Sequence, residues 1–251
     1  MSLTEELLAT LPDGQVNDVR IGLHWTAVVV TVNGQRQCGL ASTLGGSHEH
    51  TGEPDAPQAG HLHTFPALEL ARFAREPHPL LRSIGVAALN ALLPRTPERW
   101  SDLNAEEVLI EWGRGRTVAL VGRFPFIPRL REQAGRLIVL EQQPHDDERP
   151  AEEAASILPE ADVVAITGMT FVNHTLEGLL ALCSPQAQIL VLGPSTPLSP
   201  LLGRYGVAML SGAVVEAVEP VLRTIEQGGT FRQIHRAGVR LVTMRCDAGT
   251  S

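Results

Sequence analysis

Val118-Ala-Leu-Val-Gly122, Leu137-Ile-Val-Leu-Glu141, Asp162-Val-Val-Ala-Ile-Thr-Gly168 and Ile189-Leu-Val-Leu-Gly193 are four short apolar runs in the second half of the chain. Each is too short for a helix and too continuously apolar for a strand with one wet face. Helical patterns lie between and after them, at about 127–133, 151–158, 175–183 and 198–204. Near-continuous Val/Ile/Leu strands alternating with helices predict a parallel sheet covered on both faces. A weaker fifth run at Val207–Ser211, a helix over about 214–227 and a late strand near 240–245 complete a doubly wound α/β domain. The composition changes at Gly113–Arg116, so the domain is expected to span 113–251.

Upstream, residues 1–112 read as an α+β domain. Ser2 and Glu5 have capping-box spacing ahead of Leu7, Leu8 and Leu11, which predicts a first helix. Trp25–Val32 is rich in β-branched residues. Asn33-Gly34 is a strong two-residue hairpin turn, and Gln35–Ala41 returns. Residues 42–66 carry Gly, His and Pro with no period. Helices follow at 67–75, 79–93 and about 102–112, the second with Leu80, Ile84, Ala87, Ala88 and Ala91 on one face.

Composition narrows the function. In 251 residues, 28 acids face 20 bases, a net charge of −8, which argues against a nucleic-acid partner. No apolar run reaches the ~18–20 residues of a membrane span, and the start lacks a signal-peptide layout. Three widely spaced cysteines, Cys38, Cys183 and Cys246, fit reduced thiols and a cytoplasmic location. Every basic residue is arginine. Without lysine there is no Schiff base for pyridoxal phosphate and no phosphate-loop lysine.

In an open parallel sheet, ligands bind beyond the carboxyl ends of the strands, where the strand order reverses. That rule nominates Gly122, Arg123, Phe124, Glu141, Thr167, Gly168, Thr170, Asn173, Ser195 and Thr196, with Asn90 contributed from the first domain. Glu141 follows Gly122 by 19 residues, the spacing of the acid that takes a ribose hydroxyl. The glycine fingerprint is missing, because Arg123-Phe-Pro-Phe126 follows Gly122, so a dinucleotide is disfavoured and a nucleoside-like ligand stays open. Phe124 would stack a ring, and Arg123 would clamp a carboxylate or phosphate. Asn173 is placed to cap the next helix. Ser195 lacks the Gly-x-Ser-x-Gly elbow, so ligand hydrogen bonding is favoured over acyl transfer and no catalytic residue is assigned. A divalent metal is the other open cofactor: His48, His50, His61 and His63, with Glu49, Glu53 and Asp55 nearby, carry ligand types that suit zinc, copper or nickel.

Taken together, Val121-Gly-Arg-Phe-Pro125, Glu141, Ala161-Asp-Val-Val-Ala-Ile-Thr-Gly168, Thr170-Phe-Val-Asn-His-Thr175 and Gly193-Pro-Ser-Thr-Pro197 resemble the heavy-metal chelation family of prokaryotic proteins. Gly85-Val-Ala-Ala-Leu-Asn-Ala91 is similar to the end of that family's N-terminal domain. The resemblance implies an enolase-N-terminal-like domain, a Rossmann-like domain and a small-molecule site between them. It also implies condensation or hydrolysis in making pterin-, flavin- or siderophore-like chelators. Two alternatives remain: a methyltransferase-like protein using S-adenosylmethionine, and a non-catalytic metal binder built on the histidine-rich loop. The expected partner is a small-molecule ligand, with a homodimer left open. His174 departs from the pattern, standing where a small residue is expected.

Overall fold

The fold follows from a computed structural model, which describes residues 1–45 and 55–246. Helix α1 (Leu3–Thr10) begins at the expected capping box: Ser2 accepts from the Glu5 N–H, and the Glu5 carboxylate accepts from the Ser2 N–H. Strands β1 (Gln15–Ile21), β2 (Trp25–Val32) and β3 (Gln35–Ser42) form an antiparallel sheet in that order. Asn33 and Gly34 both have positive φ, 51° and 75°, the geometry that matches the twist of a two-residue hairpin. The sheet is buried on both faces, which is why β2 reads as a continuous apolar run. Val28, Val30 and Ala41 belong to one buried cluster and Ala27, Val29, Cys38 and Leu40 to another. Strand β1 was not expected. Its sequence is largely polar and only Val16 is buried.

Helix α2 (Ala67–Ala71) runs into a 3₁₀ turn at Arg72–Arg75, and α3 (Pro79–Leu92) packs on both and on the small sheet. The approach is very close: a Cβ on Gly85 would lie 1.8 Å from the Ala74 backbone N. Side chains around nearly the whole of α3 are buried, not one stripe, because it has neighbours on several sides. Helix α4 (Ala105–Gly113), capped by Asn104, leads into the second sheet.

The remaining strands are β4 (Thr117–Val121), β5 (Arg136–Glu141), β6 (Arg149–Pro150), β7 (Val163–Thr167), β8 (Gln188–Leu192), β9 (Val207–Val215) and β10 (Val239–Arg245). Their spatial order is β10-β9-β8-β7-β4-β5-β6. All neighbours are parallel except β10, which runs antiparallel to β9. From β4 the chain steps outward to β5 and β6, then returns to β7 on the other side of β4, so the order reverses between β4 and β7. Helices α5 (Ile127–Gln133), α6 (Ala154–Ile157), α7 (Met169–Val172), α8 (Leu176–Leu182), α9 (Val218–Glu226) and α10 (Phe231–Gly238) connect the strands. Ala119, Val121, Val164 and Ile166 face one buried cluster and Val118, Leu120, Val163 and Ala165 the other, so the sheet is covered on both sides. Helix α9 starts later than expected because β9 runs on to Val215. Helix α10 was unforeseen, and it explains the antiparallel edge: two helices, not one, return the chain to the sheet.

The first cluster joins the two halves, containing Leu89 of α3 as well as Ile166 of β7. Cys38, Cys183 and Cys246 form no disulfide bond. Among the described residues no helix is long and apolar enough to cross a membrane.

Candidate functional site

The crevice opens where β4 and β7 part. Gly122 ends β4 with φ at +104°, and its N–H continues the ladder to the Leu140 carbonyl at 3.0 Å. A Cβ there would lie 2.9 Å from both Cβ and Cγ2 of Thr167, so glycine allows the two strand ends to meet. Beyond them lies a cavity of about 270 Å³. Of the residues nominated from the sequence, Gly122, Arg123, Glu141, Thr167, Thr170 and Asn173 line it. Gln142, Ala151, Ala154, Met169, Thr175 and Leu179 also line it and were missed. Ala154, Thr175 and Leu179 come in by tertiary packing, on or beside α6 and α8, whereas Gln142 and Met169 stand within two residues of the ends of β5 and β7, where the strand-end rule looks.

The polar groups are held by local bonds. Thr170 donates its hydroxyl to the Thr167 carbonyl at 2.6 Å, and Thr167 Oγ1 accepts from the Met169 N–H at 3.4 Å. Asn173 does not cap the following helix. Its Oδ1 accepts from the N–H and hydroxyl of Thr175, at 3.2 and 2.6 Å, and closes a turn instead. That leaves the Asn173 amide nitrogen free of protein partners among the described residues. His174, inside this turn, has φ at 63°, the left-handed region that few side chains adopt. Its Nε2–H donates to the Ala74 carbonyl at 2.6 Å, tying the turn to the first half of the chain.

Two charged residues line the cavity, Arg123 and Glu141. Arg123 is already engaged: Nε and Nη2 donate to Oε1 and Oε2 of Glu148 at 2.8 and 2.5 Å. This pairing, with a bond from the His145 N–H, holds the Glu148 carboxyl down at about 2. Glu141 accepts from the Gln142 N–H at 3.1 Å and makes no ion pair among the described residues. The turn after β4 is a poor phosphate cradle. Pro128 stands in the first turn of α5 without an N–H, and the Ile127 N–H is committed to the Phe124 carbonyl at 3.2 Å.

The other nominated residues lie elsewhere. Phe124 stacks on Phe126, with centroids 5.1 Å apart and planes 17° apart, and does not line the cavity. Gly168 lies against the turn bearing Thr196; a Cβ on it would be 2.5 Å from Thr196 Oγ1. Ser195 is 1% exposed. Its Oγ accepts from the Ser42 N–H at 2.9 Å and lies 3.1 Å from the Ser42 hydroxyl, so no base activates it. Asn90 donates to the carbonyls of Leu40 and Ser195 at 2.9 and 3.3 Å.

Asn90 and Thr196 meet in a second cavity of about 20 Å³, beside Arg95 and Trp100. Three of these lining residues carry a buried polar atom without a protein partner among the described residues: Asn90 Oδ1, Thr196 Oγ1 and Trp100 Nε1. Both halves of the chain therefore line this small cavity, whereas among the described residues the 270 Å³ cavity is lined from within 121–179. A wider cleft of about 350 Å³ is lined by Arg75, His174 and Glu177 among others. Its charged groups are committed, Arg75 to Glu5 at 3.2 Å and Glu177 to the Leu3 N–H at 2.8 Å. His61 and His63 are exposed around a 3₁₀ turn at Leu62–Thr64. His48 and His50 lie outside the described residues. Among the described residues no three His, Cys, Asp or Glu side chains group to hold a metal.

Comparison with known proteins adds the following. Two family models, each described as "Putative heavy-metal chelation", match residues 4–93 and 104–244. A crystal structure of a protein with unknown function from Desulfitobacterium hafniense DCB-2, of the family of the second model, superimposes with a TM-score of 0.82 at 26% identity, covering 97% of each chain. One from Pyrococcus horikoshii, also of unknown function, superimposes at 0.81 and 22% identity, covering 96% of this chain and 97% of that one. No curated protein matches the chain.

Proposed function

The chain belongs to the heavy-metal chelation family, and from that premise we propose that the cavity beyond β4, β5 and β7 binds a small hydroxylated heterocycle, nucleoside-like in size. The observation that carries this reading is the position of Glu141. An acid free of ion pairs ends the strand beside β4 and lines a cavity at the reversal of strand order. In folds of this order, 3-2-1-4-5-6, that crevice takes the ligand, and an acid about 20 residues past the first turn takes hydroxyls.

The size supports a compact ligand. About 270 Å³ lies just under the ~300–1,000 Å³ of pockets for drug-sized molecules. That volume suits one ring system with its substituent and not a dinucleotide. Val121, Leu140, Ala154 and Leu179 offer apolar wall, while Thr167, Asn173 and Glu141 offer hydrogen bonds. Pterin- and flavin-precursor rings, of the kind the resemblance implies, belong to this class. The reading is of a binding site: a nucleophile beside a base is absent from the described lining, and the buried Ser195 hydroxyl is bonded to Ser42, with no base beside it among the described residues.

A thermal-shift screen with nucleosides, pterins, flavin precursors and S-adenosylmethionine tests it. Stabilising ligands should come from the ring-bearing, hydroxylated compounds. Their effect should vanish in the Glu141→Ala/Asn173→Ala double variant. Hits that survive both substitutions unchanged would place the ligand elsewhere.

A further inference from the structure

We infer that this cavity excludes anions: it admits neutral and cationic ligands and rejects their phosphorylated forms. The inference rests on the reading of the cavity as the ligand site, and adds the charge class of what enters.

Arg123 and Glu141 line the cavity, and Glu148, which does not, is bonded to Arg123. Glu148 is 8% exposed and grips Arg123 through two parallel N–H···O bonds, while Arg123 also donates to the Gln143 carbonyl at 3.3 Å. Such a fork-to-carboxylate pair is strong and geometrically specific. Among the described residues, the one cation lining the cavity is therefore neutralised by the Glu148 carboxylate bonded to it. Glu141 adds a second carboxylate with no ion pair of its own, close enough to act electrostatically on Arg123. One positive charge thus faces two negative ones.

The backbone offers an anion little more. Phosphate-binding turns at this position use glycine N–H groups and a helix N-terminus. Here Pro125 and Pro128 each lack an N–H, and the aromatic pair Phe124 and Phe126 fills the turn. A phosphate would have to share the Arg123 guanidinium with Glu148, which already takes Nε and Nη2, and would sit beside Glu141. A ring hydroxyl or an amine would instead donate to Glu141 and gain from the same field. The local negative charge is thus a filter that separates a nucleoside or free chelator precursor from its phosphate ester.

Calorimetric titration with adenosine and with adenosine 5′-monophosphate, at low ionic strength, tests the filter. The wild type should bind the nucleoside at least about tenfold more tightly, equivalent to ~1.4 kcal/mol. Glu148→Gln keeps an acceptor for the His145 N–H but releases the Arg123 guanidinium, so the ratio should fall to parity or invert. If that variant does not fold, Glu141→Gln, which also removes one negative charge, should narrow the ratio in the same direction. Equal affinities in the wild type, or a ratio unmoved by the foldable variant, would overturn anion exclusion while leaving the ligand site standing. Binding of neither compound, with no other neutral heterocycle stabilising the protein, would overturn the ligand site itself.

Discussion

Replacing Gly122 with alanine tests whether the site and the sheet share one structural point. The new Cβ would lie 2.9 Å from two carbons of Thr167, where unstrained carbons pack at about 3.5–4.0 Å. Thr167 cannot swing its Cβ away, because that atom is bonded directly to the end of β7. Relief must come from moving β4 and β7 apart, at about 1–3 kcal/mol for overpacking. The φ of +104° adds a backbone cost of about 1–3 kcal/mol for any residue with a Cβ. We therefore expect Gly122→Ala to destabilise the protein by about 2–6 kcal/mol. Gly178 is the internal control. It sits in helix α8 with nothing within 4 Å of its would-be Cβ, so Gly178→Ala should stabilise by about 0.5–1 kcal/mol. Urea unfolding followed by circular dichroism reads both, and each kcal/mol should shift the melting temperature by about 2–4 °C in a chain of this length. A loss below about 1 kcal/mol for Gly122→Ala, or an equal loss for Gly178→Ala, would refute the packing argument.

Three further outcomes are expected. Gly85→Ala, whose Cβ would sit 1.8 Å from the Ala74 backbone N, should prevent α3 from docking and leave little soluble folded protein; near-normal yield and melting would contradict the close helix packing. Glu148, held at about 2 against an ordinary 4.5, contributes stability that is fully present above pH 4.5 and lost as pH falls towards 2. The melting-temperature gap between wild type and Glu148→Gln should therefore shrink over that window, and a constant gap would refute the ion pair's role. At the junction of the two halves, Asn90 Oδ1, Trp100 Nε1 and Thr196 Oγ1 need a hydrogen-bonding partner, and about 20 Å³ exceeds the ~10–15 Å³ that one water needs. A high-resolution crystal structure should show one ordered water bonded to all three, and a dry cavity there would contradict it.

Much of the fold was legible because hydrophobic period reports burial directly. The four apolar runs became β4, β5, β7 and β8 within a residue or two, and Asn33-Gly34 marked its hairpin. Elements with little buried surface were not legible. β1 buries Val16 alone and leaves no clear period, and α10, which buries Ile234 alone, is only eight residues long and follows directly on α9. The site divided in the same way. Gly122, Glu141 and Thr167 were found because strand ends are set by the fold class. The pairing of Arg123 with Glu148, 25 residues away, depends on how the chain after β5 folds back, which local sequence does not encode. Phe124 turned to Phe126 instead of the cavity because an adjacent aromatic ring offered a dry stacking partner.

The central claim is that a small neutral or cationic heterocycle sits beyond β4, β5 and β7 against Glu141. The most direct test is a crystal structure of the protein grown with the strongest ligand from the thermal-shift screen. The account predicts ligand density within the 270 Å³ cavity, with a hydroxyl or amine hydrogen-bonded to the Glu141 carboxylate and the Arg123–Glu148 pair intact. Density in the cleft beside Arg75 and His174, or in the strand-end cavity with Glu141 turned away to solvent, would contradict it.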